Sequence, residues 1–139
     1  MQLIEIPPQI PISDVDEDIL EVFIEEVQEV LQDIVSHLNA LKDNPAAEAS
    51  QKDLMRAFHT LKGSGGMVGA TAISELGLHF ETLANKIIEG SLSINDEVVA
   101  LIGQMEKILP NMIEQFKQSQ QAPEDVILLI SQAAHLAQS

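Results

Sequence analysis

Apolar residues return every three or four positions through most of this chain, and that spacing restricts its fold more than any other feature. Leu20, Phe23, Val27, Val30, Leu31, Ile34, Leu38 and Leu41 recur on one helical face. Ser13 or Asp14 is expected to cap this first helix, and Pro45 forbids its continuation. A second helix from about Ala46 carries Leu54, Phe58 and Leu61, and the glycines are expected to end it near residues 65 to 69. A third, opened by Thr71, uses Ile73, Leu76, Phe80, Leu83 and Ile87, and Gly90 stops it. A fourth, capped by Asn95 or Asp96, buries Val98, Leu101, Met105, Ile108, Met112 and Phe116, with a kink expected at Pro110. Nothing alternates like a strand. Four long helices with short connections imply an all-α, antiparallel up-down-up-down four-helix bundle with an additional C-terminal helix.

Three segments follow. Residues 1–13 read as an extended proline-rich linker, because Pro7, Pro8 and Pro11 remove donors and restrict their neighbours. Residues 14–120 form the bundle, and residues 121–139 a C-terminal helical extension or linker.

Composition narrows the function classes. The 139 residues carry a formal net charge of −15, which repels nucleic acid and anionic lipid. Nine carboxylates and no Lys or Arg lie between Asp14 and Asp33, whereas Lys52, Arg56 and Lys62 gather just before the glycines. There is no cysteine, so thiolate metal sites and disulfides do not arise, and a reducing compartment is favoured. No apolar run is long enough for membrane insertion, and the N-terminus does not read as a signal peptide.

The stretch AFHTLKGSGGMVGA, residues 57–70, is the unusual one. A carboxylate-bridged metal bundle needs Glu-x-x-His pairs, but Ile34, Arg56, Leu76 and Gln132 precede the four histidines by three residues. A phosphate loop needs its lysine after the glycines and a strand before them. A serine elbow needs G-x-S-x-G, which is absent. What remains is histidine as nucleophile. An imidazole with the unperturbed pKa of ~6.5 is largely neutral at neutral pH and can hold a phosphoryl group as a labile P–N bond. His59, Lys62, Gly63 and Gly66 share a helical face. Lys62 supplies a cation, and the two glycines give room for another protein. Glu81, on the adjoining helix, is the candidate to orient the other ring nitrogen.

HTLKGSGGMVG, His59 to Gly69, resembles the H-x-x-K-G-x-x-x-x-x-G signature of histidine-containing phosphotransfer (HPt) domains. The wider sequence from Leu54 to Gly90 is similar to the HPt module at the front of CheA-type chemosensory kinases, and the likeness covers roughly residues 14–120. AFHTLKGSG.MVGA looks closer still to modules of the multi-HPt CheA-like kinases that govern type IV pili and twitching motility. The resemblance implies that His59 is the phosphoacceptor, Lys62 its charge partner, Gly63 the opening for the docking protein, and Glu81 the glutamate that bonds the histidine. Those modules also place a second histidine three residues before that glutamate. Here the position is Leu78, with His79 one step off. Many pilus-type modules carry arginine where this chain has Gly66.

The expected function is therefore a phosphorelay. His59 accepts a phosphoryl group from a histidine kinase catalytic domain or a phospho-receiver and passes it to an aspartate of a response regulator receiver domain. No cofactor is expected in this domain; ATP and Mg would be bound by a separate kinase domain, so the fragment alone should have no kinase activity. The module is expected to be cytoplasmic and monomeric. Docking is assigned to the surface around Met55, Arg56, Gly63, Gly66 and Met67, although the two methionines fit a core role equally well. Two other classes stay open: a non-catalytic helical docking module, and a structural spacer in a large kinase.

Overall fold

The computed structural model describes residues 1–138 and contains only helices among them. A single 3-10 turn, Ile12–Asp14, leads into α1 (Glu17–Asp43), α2 (Glu48–Val68), α3 (Thr71–Ile88), α4 (Asp96–Lys117) and α5 (Glu124–Ala137). α2 packs between α1 and α3, α4 closes against α1 and α3, and α5 leans on α3 and α4. The helical bundle with one further helix is the architecture that the spacing predicts. The fully buried side chains include Phe58, Phe80, Phe116, Ile34, Leu61 and Leu76, all on the expected stripes.

Local chemistry sets the ends. Asp16 caps α1, accepting from the backbone N–H groups of Asp18 at 2.9 Å and Ile19 at 3.2 Å. This corrects the expectation of Ser13 or Asp14, which lie in the preceding 3-10 turn. Asn95 caps α4 through the Val98 N–H at 2.9 Å. Gly63, Gly65 and Gly66 stay helical, and α2 stops at Gly69, whose φ of 75° suits a residue without Cβ. α3 opens at Thr71 as expected, and the Thr71 hydroxyl donates to the Pro7 carbonyl at 2.5 Å. α4 continues through Pro110 as one helix, with Ile102, Leu109 and Ile113 buried beside the expected positions and Ile108 only partly so.

The first thirteen residues do not hang free, as a linker would. They cross the end of the bundle as an extended strap. The Ile4 N–H donates to Ser131 Oγ at 3.0 Å, and the Ile10 N–H to the Gly69 carbonyl at 3.0 Å. Gln9 is buried; its Nε2 donates to the Gln120 carbonyl at 2.7 Å, and its Oε1 accepts from the Ala72 N–H at 3.3 Å. α5 is likewise integral: Val126, Ile130 and Ala133 are fully buried, because its apolar stripe has the same period as the others.

α2 and α3 form the closest helix pair, and two glycines explain why. A Cβ on Gly77 would stand 2.4 Å from the Lys62 nitrogen, and one on Gly65 would stand 2.7 Å from the Ser74 nitrogen. Each bare Cα therefore admits the backbone of the other helix. Between them Phe58 and Phe80 meet with ring centroids 5.5 Å apart, both fully buried. The aromatic pair fixes the register of the hairpin, and the residues that follow them, His59 and Glu81, come out side by side.

Candidate functional site

His59 sits midway along α2 with its ring largely in solvent, while Glu81 on α3 is mostly buried beneath it. His59 Nδ1 lies 2.5 Å from Glu81 Oε2, and Lys62 Nζ lies 2.7 Å from Glu81 Oε1. One carboxylate thus takes both partners, one on each oxygen. Burial, the largest influence, would raise the Glu81 pKa. Hydrogen bonds and charge from Lys62 and His59 together outweigh it and hold the carboxyl below its ordinary value. An ionised carboxylate only accepts, so Nδ1 must carry the proton and donate. In a neutral ring the lone pair then resides on Nε2, the nitrogen left for a partner molecule.

Lys62 and Gly63 are positioned by the same close packing. The Ser74 hydroxyl donates to the Lys62 carbonyl at 3.0 Å, tying α3 to the backbone beside the site. Gly63 has nothing within 4 Å of where a Cβ would be, and Gly66 has only Ser74 Oγ at 3.7 Å. Both leave the surface beside His59 low and open.

The expected docking residues separate on inspection. Met67 is 84% exposed at the end of α2, whereas Met55 is half-buried and packs on the core. Arg56 is exposed and paired with Asp53 at 3.0 Å. His79 does not join the site; its Nε2 lies 3.1 Å from Glu75 Oε2, one turn away on α3.

Sequence reasoning placed Gly65 on the apolar line of Leu54, Phe58 and Leu61, but missed Gly77, which with Gly65 lets the two helices approach, and a contact between the buried Ser64 hydroxyl and Glu26 of α1. A glycine in a helix interior with apolar residues on either side was the available signal for Gly77.

What this arrangement can do is hold one ring nitrogen by a buried acid and present the other. Over 105 residues the chain is 27% identical to the chemotaxis protein CheA of Salmonella typhimurium, covering 75% of this chain and 16% of that protein. Over 86 residues it is 30% identical to CheA of Borreliella burgdorferi, covering 62% of this chain and 10% of that protein. The chain therefore spans only a small part of the curated relatives that it matches. Its fold is similar to the phosphorylated P1 domain of CheA3, solved in complex with CheY6 from R. sphaeroides. That likeness has a TM-score of 0.73 at 20% identity and covers 87% of this chain and 99% of that one. The family described as Hpt domain matches residues 18–119, which take in α1 from its second residue, α2 to α4 and every residue of the His59 constellation. The chain belongs to the Hpt domain family.

Proposed function

We propose that this chain is a phosphorelay module in which His59 is the phosphoacceptor. The observation that carries the reading is the exposed imidazole whose Nδ1 is held by Glu81, which leaves Nε2 as the nitrogen for chemistry. The Nε2 lone pair attacks the phosphorus of the donor, the P–O bond to the leaving group breaks, and a P–N bond forms. The ring becomes an imidazolium, and Glu81 stabilises it through the Nδ1 proton. In the forward transfer a receiver aspartate oxygen attacks the phosphorus. The P–N bond breaks, its electron pair returns to Nε2, and an acyl phosphate is formed on the aspartate.

Lys62 has two parts in this scheme. It anchors Glu81, and it sets a positive charge one helical turn from the arriving phosphoryl group. The donor is the ATP-binding catalytic domain of a histidine kinase or a phosphorylated receiver, with ATP and Mg held there. The similar P1 domain of CheA3 is phosphorylated and bound to CheY6; a receiver domain is the acceptor we assign here. It docks over Gly63, Gly66 and Met67, with Met55 and Arg56 at the margin. No described helix is long and apolar enough to cross a membrane, and we place the module in the cytoplasm as a monomer.

The finer assignment, chemosensory control of type IV pili, rests on the likeness of AFHTLKGSGGMVGA to modules of those kinases. The decisive experiment is phosphotransfer. Wild-type protein should take label from the cognate kinase domain and lose it to one receiver domain of the same organism. Label that persists in His59→Gln would overturn the reading. For the pilus assignment, a chromosomal His59→Gln strain should lose twitching motility; normal twitching would reject it.

A further inference from the structure

Four of the nine exposed large apolar side chains among the described residues gather at one corner of the bundle. Met67 is 84% exposed, Val22 60%, Ile19 51% and Ile10 42%. They line two adjoining grooves between the end of α2 and the start of α1, which share Ile19, Met67 and Val68. Two of them, Ile19 and Val22, belong to α1 and one, Met67, to α2. The fourth, Ile10, belongs to the strap, ahead of the residues 18–119 that match the Hpt family.

This corner adjoins the face of His59, since Gly66 shares that face and lines one of the two grooves. Met67 lies eight residues further along α2, about 12 Å at the helical rise. Gly63 and Gly66 occupy the interval and raise no side chain. A folded domain that brings an aspartate to His59 Nε2, and that extends toward the C-terminal end of α2, must cover the patch. The charge around it selects the kind of surface that fits. The charged residues lining the two grooves are Asp14, Asp16 and Glu26, with no Lys or Arg. An apolar centre with an acidic rim is complementary to an apolar patch rimmed by basic groups.

Ile10 is presented rigidly. Its N–H is bonded to the Gly69 carbonyl at 3.0 Å, its side chain lies where a Gly69 Cβ would be, and Gln9 is buried beside it. A side chain already ordered loses little entropy on binding, so it contributes to affinity and discriminates between partners.

We infer that the strap is part of the receiver-docking surface. Ile10, together with Ile19, Val22 and Met67, receives an apolar patch beside the receiver's phosphorylatable aspartate, and Asp14, Asp16 and Glu26 meet basic groups around it. The inference rests on the reading of His59 as donor to a receiver, and names a determinant of partner choice outside the family's own residues.

The test uses the full chain, loaded on His59, and the receiver domain of the same organism that drains wild-type label fastest. Reactions start from equal amounts of phosphohistidine. Ile10→Thr keeps a β-branched residue and the backbone hydrogen bond. It should raise the half-saturating receiver concentration about five-fold, the factor for ~1 kcal/mol of lost binding, with the maximal transfer rate nearly unchanged. Val22→Thr, on α1, should act in the same direction. Because Ile10→Thr could loosen the strap, amide hydrogen exchange is also followed on the wild-type chain. The amides of residues 10–15 should slow when the receiver is added. If wild-type transfer is saturable but Ile10→Thr leaves half-saturation unmoved, or receiver leaves exchange at residues 10–15 unchanged, the strap is not part of the surface. If no receiver drains His59 at all, the relay reading itself fails.

Discussion

Gly77 of α3 lies so close to Lys62 of α2 that a single added methyl would stand 2.4 Å from the Lys62 backbone nitrogen. Backbone cannot swing aside as a side-chain tip can. Gly77→Ala gains ~1 kcal/mol of helix propensity, but prying two packed helices apart costs about 1–3 kcal/mol, and the clash wins. The variant should melt at lower temperature. It should also transfer phosphate more slowly, since Glu81 lies one turn further along the displaced helix. Calorimetry and label transfer check the two parts.

Gly63→Ala should do the reverse to stability. Nothing stands within 4 Å of its Cβ position, so replacing a helix-interior glycine should stabilise by about 0.5–1 kcal/mol. The same methyl rises beside His59, and transfer to a receiver should slow. Gly103→Ala, equally open but on α4, is the control that should gain stability without a transfer defect.

Glu81→Gln keeps the shape and removes the charge. Loss of the acid behind a metal-bound histidine costs about 10–100-fold, and by the same orienting role phosphohistidine formation should fall by about that factor here. His79→Gln should leave labelling intact, because that ring is bonded to Glu75 and not to the site. Rates of labelling by the kinase domain, at matched concentrations, distinguish the two.

Two carboxylates should give opposite pH signatures. The Glu81 carboxyl is held below its ordinary value of 4.5. Its contribution to stability is complete above that unfolded value and disappears as pH falls through the lower folded value. The stability gap between wild type and Glu81→Gln should therefore close in acid. Glu106 on α4 is raised by burial, only partly offset by the charges of Lys42 and Lys107, and its Oε1 is buried without a hydrogen-bond partner. Its ionised form costs stability at neutral pH. Glu106→Gln should be the more stable protein there, with the gain shrinking as pH falls and the native carboxyl takes up its proton. Thermal melts across the acid range check both.

Gln9→Ala tests the strap. It removes the amide that bonds Gln120 and Ala72 and leaves the Ala72 N–H, a buried backbone group, without its partner. A loss of about 1–3 kcal/mol is expected for such a group, read by denaturant unfolding.

The helices were legible because each stripe, such as Phe23 to Leu41, repeats with the helical period. His59, Lys62 and Gly63 were legible because they share one helix, so spacing alone puts them on a face. Glu81 lies 22 residues from His59, and its pairing depends on a register that periodicity does not give; there, the adjoining helix and the family likeness supplied the candidate. The strap left no such mark. Its bonds run from Ile4, Gln9 and Ile12 to side chains or carbonyls more than a hundred residues away, and proline spacing says only that the segment is extended. The run of glycines was ambiguous for a related reason. Propensity favours a helix end, yet packing against α3 carries the helix through Gly63, Gly65 and Gly66.

The Phe58–Phe80 contact has a consequence at the level of the gene. Since it locks the hairpin's register, the helical lengths from His59 to the end of α2 and from the start of α3 to Glu81 are fixed. One inserted or deleted codon within α2 or α3 between them turns the acid about 100° away from the imidazole, so insertions are tolerable only in the turn near Gly69. Because His59, Lys62 and Glu81 all sit on this single hairpin, α4 and α5 can be rewritten wholesale, provided that they still cover its back and hold the strap.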